Sequence, residues 1–243
     1  MKESAAILSE TFGYIKQFIK PGVKTKEIDQ AAEAFILSKG GKPSFKGYSG
    51  YPATLCISVN NQVVHGIPSD YTLKSGDILT VDGGVKYKGY HSDMAYTFMV
   101  ENVHPNIKRL VEITKECLYK GIEQARPGKK IGDIGNAIQK HAENNGFSVV
   151  RELVGHGIGK SLHEEPQVPN YGKAGKGIEL KEGMTIAIEP MINMGKKDVY
   201  QLKDGWTIVT KDLLPSAHFE HTVAILKDKT EILTTYKYIE NEN

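Results

Sequence analysis

An internal duplication narrows, more than any other feature, what this 243-residue chain can fold into. Residues 19–40, IKPGVKTKEIDQAAEAFILSKG, realign with residues 125–146, ARPGKKIGDIGNAIQKHAENNG. The match pairs Pro21 with Pro127, Gly22 with Gly128, Ile28 with Ile134, Ala31 with Ala137 and Gly40 with Gly146. Each copy reads as a turn followed by a helix that ends on glycine, the residue that adopts a left-handed C-cap without strain. Farther on, LKSGDILTVDGG at 73–84 realigns with LKEGMTIAIEPM at 180–191. Six residues after Gly76, and again six after Gly183, an apolar strand delivers one carboxylate: Asp82 in the first copy and Glu189 in the second. His-Gly-Ile falls between these landmarks in both copies, at 65–67 and 156–158. The repeat is longer than a solenoid period. It divides a single domain spanning 1–243 into halves of about 1–105 and 106–243, each running helix, histidine loop, strands.

A carboxylate buried in an apolar strand without compensation costs several kcal/mol, so it has to be neutralised, paired or bound to metal. An exposed strand edge or a buried salt bridge is the plain reading of either acid alone. Matching positions in both copies argue against it. Duplicated strands packed about a pseudo-twofold axis bring Asp82 and Glu189 to the centre, where no equally repeated cation is evident. Lys88-Gly89 supplies turn chemistry for a hairpin. A loop centred near Tyr87–Lys88 sets Asp93 within a residue or so of opposite Asp82, on the same sheet face. SAHFEHTVAIL reads as a further strand, with Glu220 and His221 on opposite faces. Glu220 then becomes a fourth carboxylate and His156 a fifth ligand, its glycine neighbours allowing close backbone approach. Four carboxylates and one imidazole suit two adjacent divalent ions of the Mn, Fe, Co or Zn type, with about +4 meeting −4. Two such ions share a water and lower its pKa, which points to hydrolysis of an ester, amide or phosphoester.

Composition excludes several other classes. With 31 basic and 29 acidic residues, the chain lacks the cationic excess of a protein that coats DNA. Cys56 and Cys117 are too few for a zinc finger and read as reduced thiols. The first helix is expected to bury Ala6, Leu8, Phe12, Ile15 and Ile19 on one broad face. Neither a signal peptide nor a membrane-spanning apolar run is evident, so a cytoplasmic protein is expected. GHGIGKS fails as a phosphate-binding loop because Val154 stands where that motif needs glycine.

The ordered set VVHGIP, TVDGG, GYHSD, GHGIGKSLHEEP, IEPM and FEHT resembles the type I methionine aminopeptidases over almost the whole chain. The resemblance implies an α+β pita-bread fold, in which two pseudo-twofold-related halves with a central antiparallel sheet and flanking helices enclose a dinuclear metal site. Carried over position by position, the family's ligands fall on Asp82, Asp93, His156, Glu189 and Glu220. Asp82 would be bidentate to one metal, Asp93 and Glu220 would bridge, and His156 and Glu189 would complete the other shell. The family's mechanism has the bridging water attack the carbonyl of an N-terminal methionine, with Glu189 as general base. His65 and His163 match its two non-ligand histidines, which contact substrate and stabilise the tetrahedral intermediate. Phe45, Tyr48, Tyr51, Cys56, Leu162 and Trp206 match the pocket for the methionine side chain, ordinary core packing being the plain alternative for each aromatic. Phe45 and Leu162 depart from the common cysteine and phenylalanine, and the start is shorter than usual in the family.

The resemblance further implies removal of the initiator methionine from nascent polypeptides with a small second residue, by a monomer that meets ribosomes at most transiently. Aminopeptidase P and prolidase share the architecture but carry a large extra N-terminal domain. Some pita-bread relatives are catalytically silent binding modules that have lost their ligands; here all five ligand positions and both histidines are kept.

Overall fold

The duplicated segments fold alike. In the computed structural model, which describes residues 1–240, four long helices form: α1 Lys2–Ile15, α2 Thr25–Ser38, α3 Pro105–Gln124 and α4 Ile131–Asn144. Ahead of α2 the Gly22 N–H donates to Leu73 O at 2.9 Å, and ahead of α4 the Gly128 N–H donates to Leu180 O at 3.0 Å. The same tie is thus made twice, anchoring each turn to its Leu-Lys-x-Gly segment. Beyond the two helices Gly40 and Gly146 take φ of 76° and 83°, the left-handed conformation expected of them.

Helix α1 corrects one expectation. It buries Ala5, Ile7, Leu8, Phe12 and Ile15, while Ala6 faces solvent. At about 100° per residue, position 6 lies across the helix from 8 and 12. Ile19 lies beyond the helix end, past a short 3-10 turn, and is half-buried.

The strands that position the site are, in chain order, β1 Leu55–Val59, β2 Gln62–Val64, β3 Ile78–Tyr87, β4 Tyr90–Met99, β5 Gly155–Gly157, β6 Glu164–Val168, β7 Thr185–Ile188, β8 Met191–Asn193, β9 Ser216–His218 and β10 Glu220–Ile225. A nine-stranded sheet runs β1–β3–β4–β10–β7–β5–β6, with two short strands added at 42–43 and 230–232. The order reads the same outward from the β4–β10 seam, where Ala95 faces Glu220. That seam is the pseudo-twofold axis. Helices from both halves pack on the sheet in one core, which holds Leu8, Phe12, Ile28, Ile36, Leu118 and Ile138 of the helices together with Leu79, Val81, Met94, Ile188 and Val223 of the strands. Each large side chain so buried is worth about 1.5–3 kcal/mol. This is the α+β pita-bread architecture. Among the described residues no helix is long and apolar enough to cross a membrane.

Three local expectations need correcting. The β3–β4 loop is Lys88-Gly89 itself, both at positive φ, because a two-residue hairpin turn of this hand needs positive φ at both positions. The register therefore sets Asp82 opposite Ala95 and Asp93 opposite Gly84. The slip is two residues, so parity holds and both acids share a face. SAHFEHTVAIL is two strands, broken at Phe219. Pro190 lies across from the break and has no N–H for the ladder, so β8 and β9 leave the main sheet for a three-stranded one. The two His-Gly-Ile stretches, finally, are not equivalent positions. His156 lies in β5, which pairs with β7, whereas the first-half strand on that edge is β1, and His65 comes after β2 with φ of 58°.

Candidate metal centre and substrate pocket

Five neighbouring strands each bring one charged or metal-binding side chain to the sheet centre. β3 brings Asp82, β4 Asp93, β10 Glu220 as its first residue, and β5 His156; Glu189 follows directly on β7. Asp82 and His156 are 9% exposed, Asp93 3% and Glu220 2%. His156 Nε2 lies 3.9 Å from Asp93 Oδ2 and 3.7 Å from Glu189 Oε1. Asp93, His156 and Glu220 present ligand atoms all within 4.8 Å of one another.

The electrostatics of this cluster are unfavourable without a cation. Burial pushes the Asp82 carboxyl up to about 7. Asp93 is raised well above the usual carboxylate range by burial and then by Glu220 and Asp82. Glu189 is raised by burial, Asp82 and Asp93, and Glu220 by burial, Glu189 and Asp82. No lysine or arginine lines the cavity around them. Asp82 Oδ1 and Glu220 Oε1 are buried with no hydrogen-bond partner. His156 Nδ1 lies 2.8 Å from Gly157 O, which makes Nδ1 the donor and leaves the Nε2 lone pair facing the acids. Burial holds the ring neutral, its pKa lowered to about 4. Unpaired acceptors, mutually repelling carboxylates and an inward-facing imidazole lone pair are the donor set that divalent cations fit.

All of the residues singled out from sequence as ligands, catalytic groups or pocket walls line one cavity of about 590 Å³; none is placed elsewhere. Phe45, Tyr51, Cys56 and Leu162 form a buried apolar cluster against which Trp206 and Ile67 pack. The Tyr51 and Trp206 rings meet edge-on at 5.0 Å. Tyr51 Oη lies between Leu55 O at 3.0 Å and Gly66 O at 2.9 Å, tying this wall to the His65 loop. Cys56 faces Asp82 directly across β1 and β3, so the apolar slot abuts the acidic centre. Burial, and then Asp82, push the Cys56 thiol up, so it is a neutral wall group. His65 is lowered to about 4 by burial and by His163. His163 Nδ1 lies 2.8 Å from Tyr48 Oη, and its ring sits 4.3 Å from the His156 ring.

His218 escaped the reading of the sequence. It is 1% exposed and its Nε2 lies 3.7 Å from Glu189 Oε2. Two residues before Glu220, it shares that residue's face by simple alternation, a signal present in SAHFEHT but overshadowed by the Glu220–His221 pair. Glu152, Glu164, Glu165 and Gln167 also line the cavity; Glu164 and Glu165 belong to the GHGIGKSLHEEP motif but were given no role there, and no sequence pattern marked Glu152 or Gln167.

The model of metallopeptidase family M24 matches residues 1–227. The chain is 53% identical to a methionine aminopeptidase of Clostridium perfringens, covering 98% of this chain and 95% of that protein. It is 51% identical to methionine aminopeptidase 1 of Bacillus subtilis, covering 96% and 94%. The crystal structure of methionine aminopeptidase from Thermotoga maritima superposes with a TM-score of 0.95 at 42% identity, covering 97% and 95%. A prolidase from Pyrococcus furiosus shares the fold, with a TM-score of 0.79 at 24% identity, and this chain spans 62% of it.

Proposed function

The chain belongs to metallopeptidase family M24, and from that premise we propose that it removes the N-terminal methionine from polypeptides whose second residue is small. The observation that carries the reading is the meeting of four carboxylates and one imidazole, drawn from both halves, beside an apolar slot in the same cavity. Asp82, Asp93, His156, Glu189 and Glu220 would hold two divalent ions of the Mn, Fe, Co or Zn type. When bound, such ions supply Lewis acidity and lower the pKa of water.

The chain's own groups do the rest. The slot walled by Phe45, Tyr48, Tyr51, Cys56, Leu162 and Trp206 takes the thioether, whose sulfur packs on aromatic edges with about 0.3–1.5 kcal/mol. That contact excludes water and holds the scissile carbonyl over the acidic centre. Glu189 takes the proton of the attacking water and returns it to the departing amine. His65 and His163, neutral at pH 7, offer N–H groups to the oxyanion that develops on the carbonyl. Because the ligands come from both halves, 1–243 works as one catalytic unit. The same reading gives nascent chains as the partner, with brief ribosome contact, and a cytoplasmic monomer as the working form.

The test is turnover of Met-Ala-Ser and Met-Leu-Ser with Mn(II), Fe(II), Co(II) or Zn(II), with metal stoichiometry measured on the same sample. Two ions per chain and a strong preference for Met-Ala-Ser are expected. Equal kcat/KM for the two peptides would overturn the small-residue rule. Bound metal without methionine release, or release from Xaa-Pro dipeptides instead, would overturn the assignment to methionine.

A further inference from the structure

Glu189 has an imidazole on each side. His156 Nε2 lies 3.7 Å from its Oε1, and His218 Nε2 lies 3.7 Å from its Oε2. Unlike His156, His218 does not line the cavity. It is 1% exposed, and its ring nitrogen, a Glu189 oxygen and a Glu220 oxygen all lie within 4.8 Å of one another. Both of its ring nitrogens are buried without a hydrogen-bond partner. Polar atoms so placed are unfavourable unless something comes to pair with them. The backbone around them is firmly held: His218 N–H donates to Thr97 Oγ1 at 3.0 Å, and Thr97 Oγ1 donates to His218 O at 2.7 Å.

The duplication identifies what this position is. Across β3 and β4, Gly84 faces Asp93. The shift along the chain that carries Asp82 onto Glu189 also carries Gly84 onto Met191, and Met191 faces His218 across β8 and β9. His218 is therefore the second half's counterpart of Asp93, in the same place in the ladder and on the same face. A carboxylate there would add another negative charge beside Glu189 and Glu220. A neutral imidazole adds a donor instead.

We propose that His218 is a positioning residue whose Nε2–H donates to Glu189 Oε2 in the metal-loaded site, which turns Oε1 towards the cation side with His156 and fixes the orientation of Glu189 as proton acceptor. The gap of 3.7 Å exceeds a hydrogen bond. The terminal torsion of Glu189 is soft, which leaves the carboxylate free to turn towards His218. A partner of this kind, behind a metal-binding or proton-accepting carboxylate, governs both affinity and orientation. The inference rests on the assignment of Glu189 as ligand and base.

Two variants of the full chain separate a donor from a space-filler: His218→Gln keeps an N–H aimed at Glu189, and His218→Leu fills the site without one. Mn(II) titration of the metal-free proteins by calorimetry is expected to show affinity about 10–100-fold weaker for His218→Leu and within a few-fold of wild type for His218→Gln. With Met-Ala-Ser, kcat should fall in the leucine variant while KM stays put, and the glutamine variant should recover most of it. Equal behaviour of the two variants, or unchanged affinity in a folded His218→Leu, would overturn the proposal. The calorimetry needs no substrate, so failure of the methionine reading leaves this readout intact. For wild type loaded with Zn(II), 15N imidazole spectra, assigned by the signal lost in His218→Gln, should show a protonated His218 Nε2. An unprotonated Nε2 bound to zinc would instead make His218 a direct ligand and overturn the proposal.

Discussion

At the scale of single residues, the centre is governed by carboxylates that repel one another in a buried space. Removing a proposed bridging acid, as in Glu220→Gln or Asp93→Asn, therefore acts in opposite directions with and without metal. Turnover should fall by about 100-fold or more, with binding of the second ion lost in calorimetry. The metal-free variant, relieved of one buried acid, should melt no lower than wild type. A gain of about 1 kcal/mol would appear as roughly 2–4 °C for a chain of this size. The pH dependence follows from the same acids. Asp82 keeps its proton in the folded state up to about 7, whereas in the unfolded chain it ionises near the ordinary value of about 3.9. The folded state thus binds more protons between those values, and the stability that the neutral carboxyl contributes is full below the lower one and gone above the higher. His65 and His156, lowered to about 4, carry the opposite sign: their contribution is present above about 6.5 and is lost as pH falls through about 4. Cations compete with the carboxyl protons, so saturating Mn(II) should raise the melting temperature more at about pH 7.5 than at about pH 5.5. Scanning fluorimetry at the two pH values checks this, and an equal rise at both would contradict it.

At the scale of elements, the site depends on strands approaching more closely than side chains permit. A Cβ on Gly157 would lie 2.2 Å from Glu165 O, so β5 packs on the chain of β6 only because residue 157 is glycine. Gly157→Ala should force the two strands apart and displace the adjacent His156. A drop in melting temperature together with weaker metal binding is expected, with the stability loss on the order of 1–3 kcal/mol. Gly66 plays the same part for the His65 loop, where a Cβ would meet Ile57 O at 2.2 Å. Gly66→Ala should raise KM for Met-Ala-Ser more than it weakens metal binding, since no ligand sits on that loop. Helices, turns and the β3–β4 hairpin were readable because their determinants are local: glycine at the helix ends, Lys88-Gly89 at the turn, alternation along the strands. The break at Phe219 was not, because its cause, Pro190, lies on the facing strand.

At the scale of the whole molecule, the β4–β10 seam joins one half to the other, and the acids of the centre come from both sides of it. Segments 1–105 and 106–243 made separately should therefore bind no metal pair and release no methionine, and mixing them should restore activity only if the seam reforms. Calorimetry and the Met-Ala-Ser assay on the separate and mixed segments check this. The duplicated turns, the paired carboxylates of Asp82 and Glu189 and the polarity of each strand were fixed by the sequence alone, because each depends on residues near in the chain and on the two periods of helix and strand. Tertiary structure alone decided that the strand around Phe219 breaks opposite Pro190, that the two His-Gly-Ile stretches occupy different places, and that His218 lies beside Glu189. These depend on ladder register and on which strand edge meets which, and both are set by contacts between segments far apart in the chain.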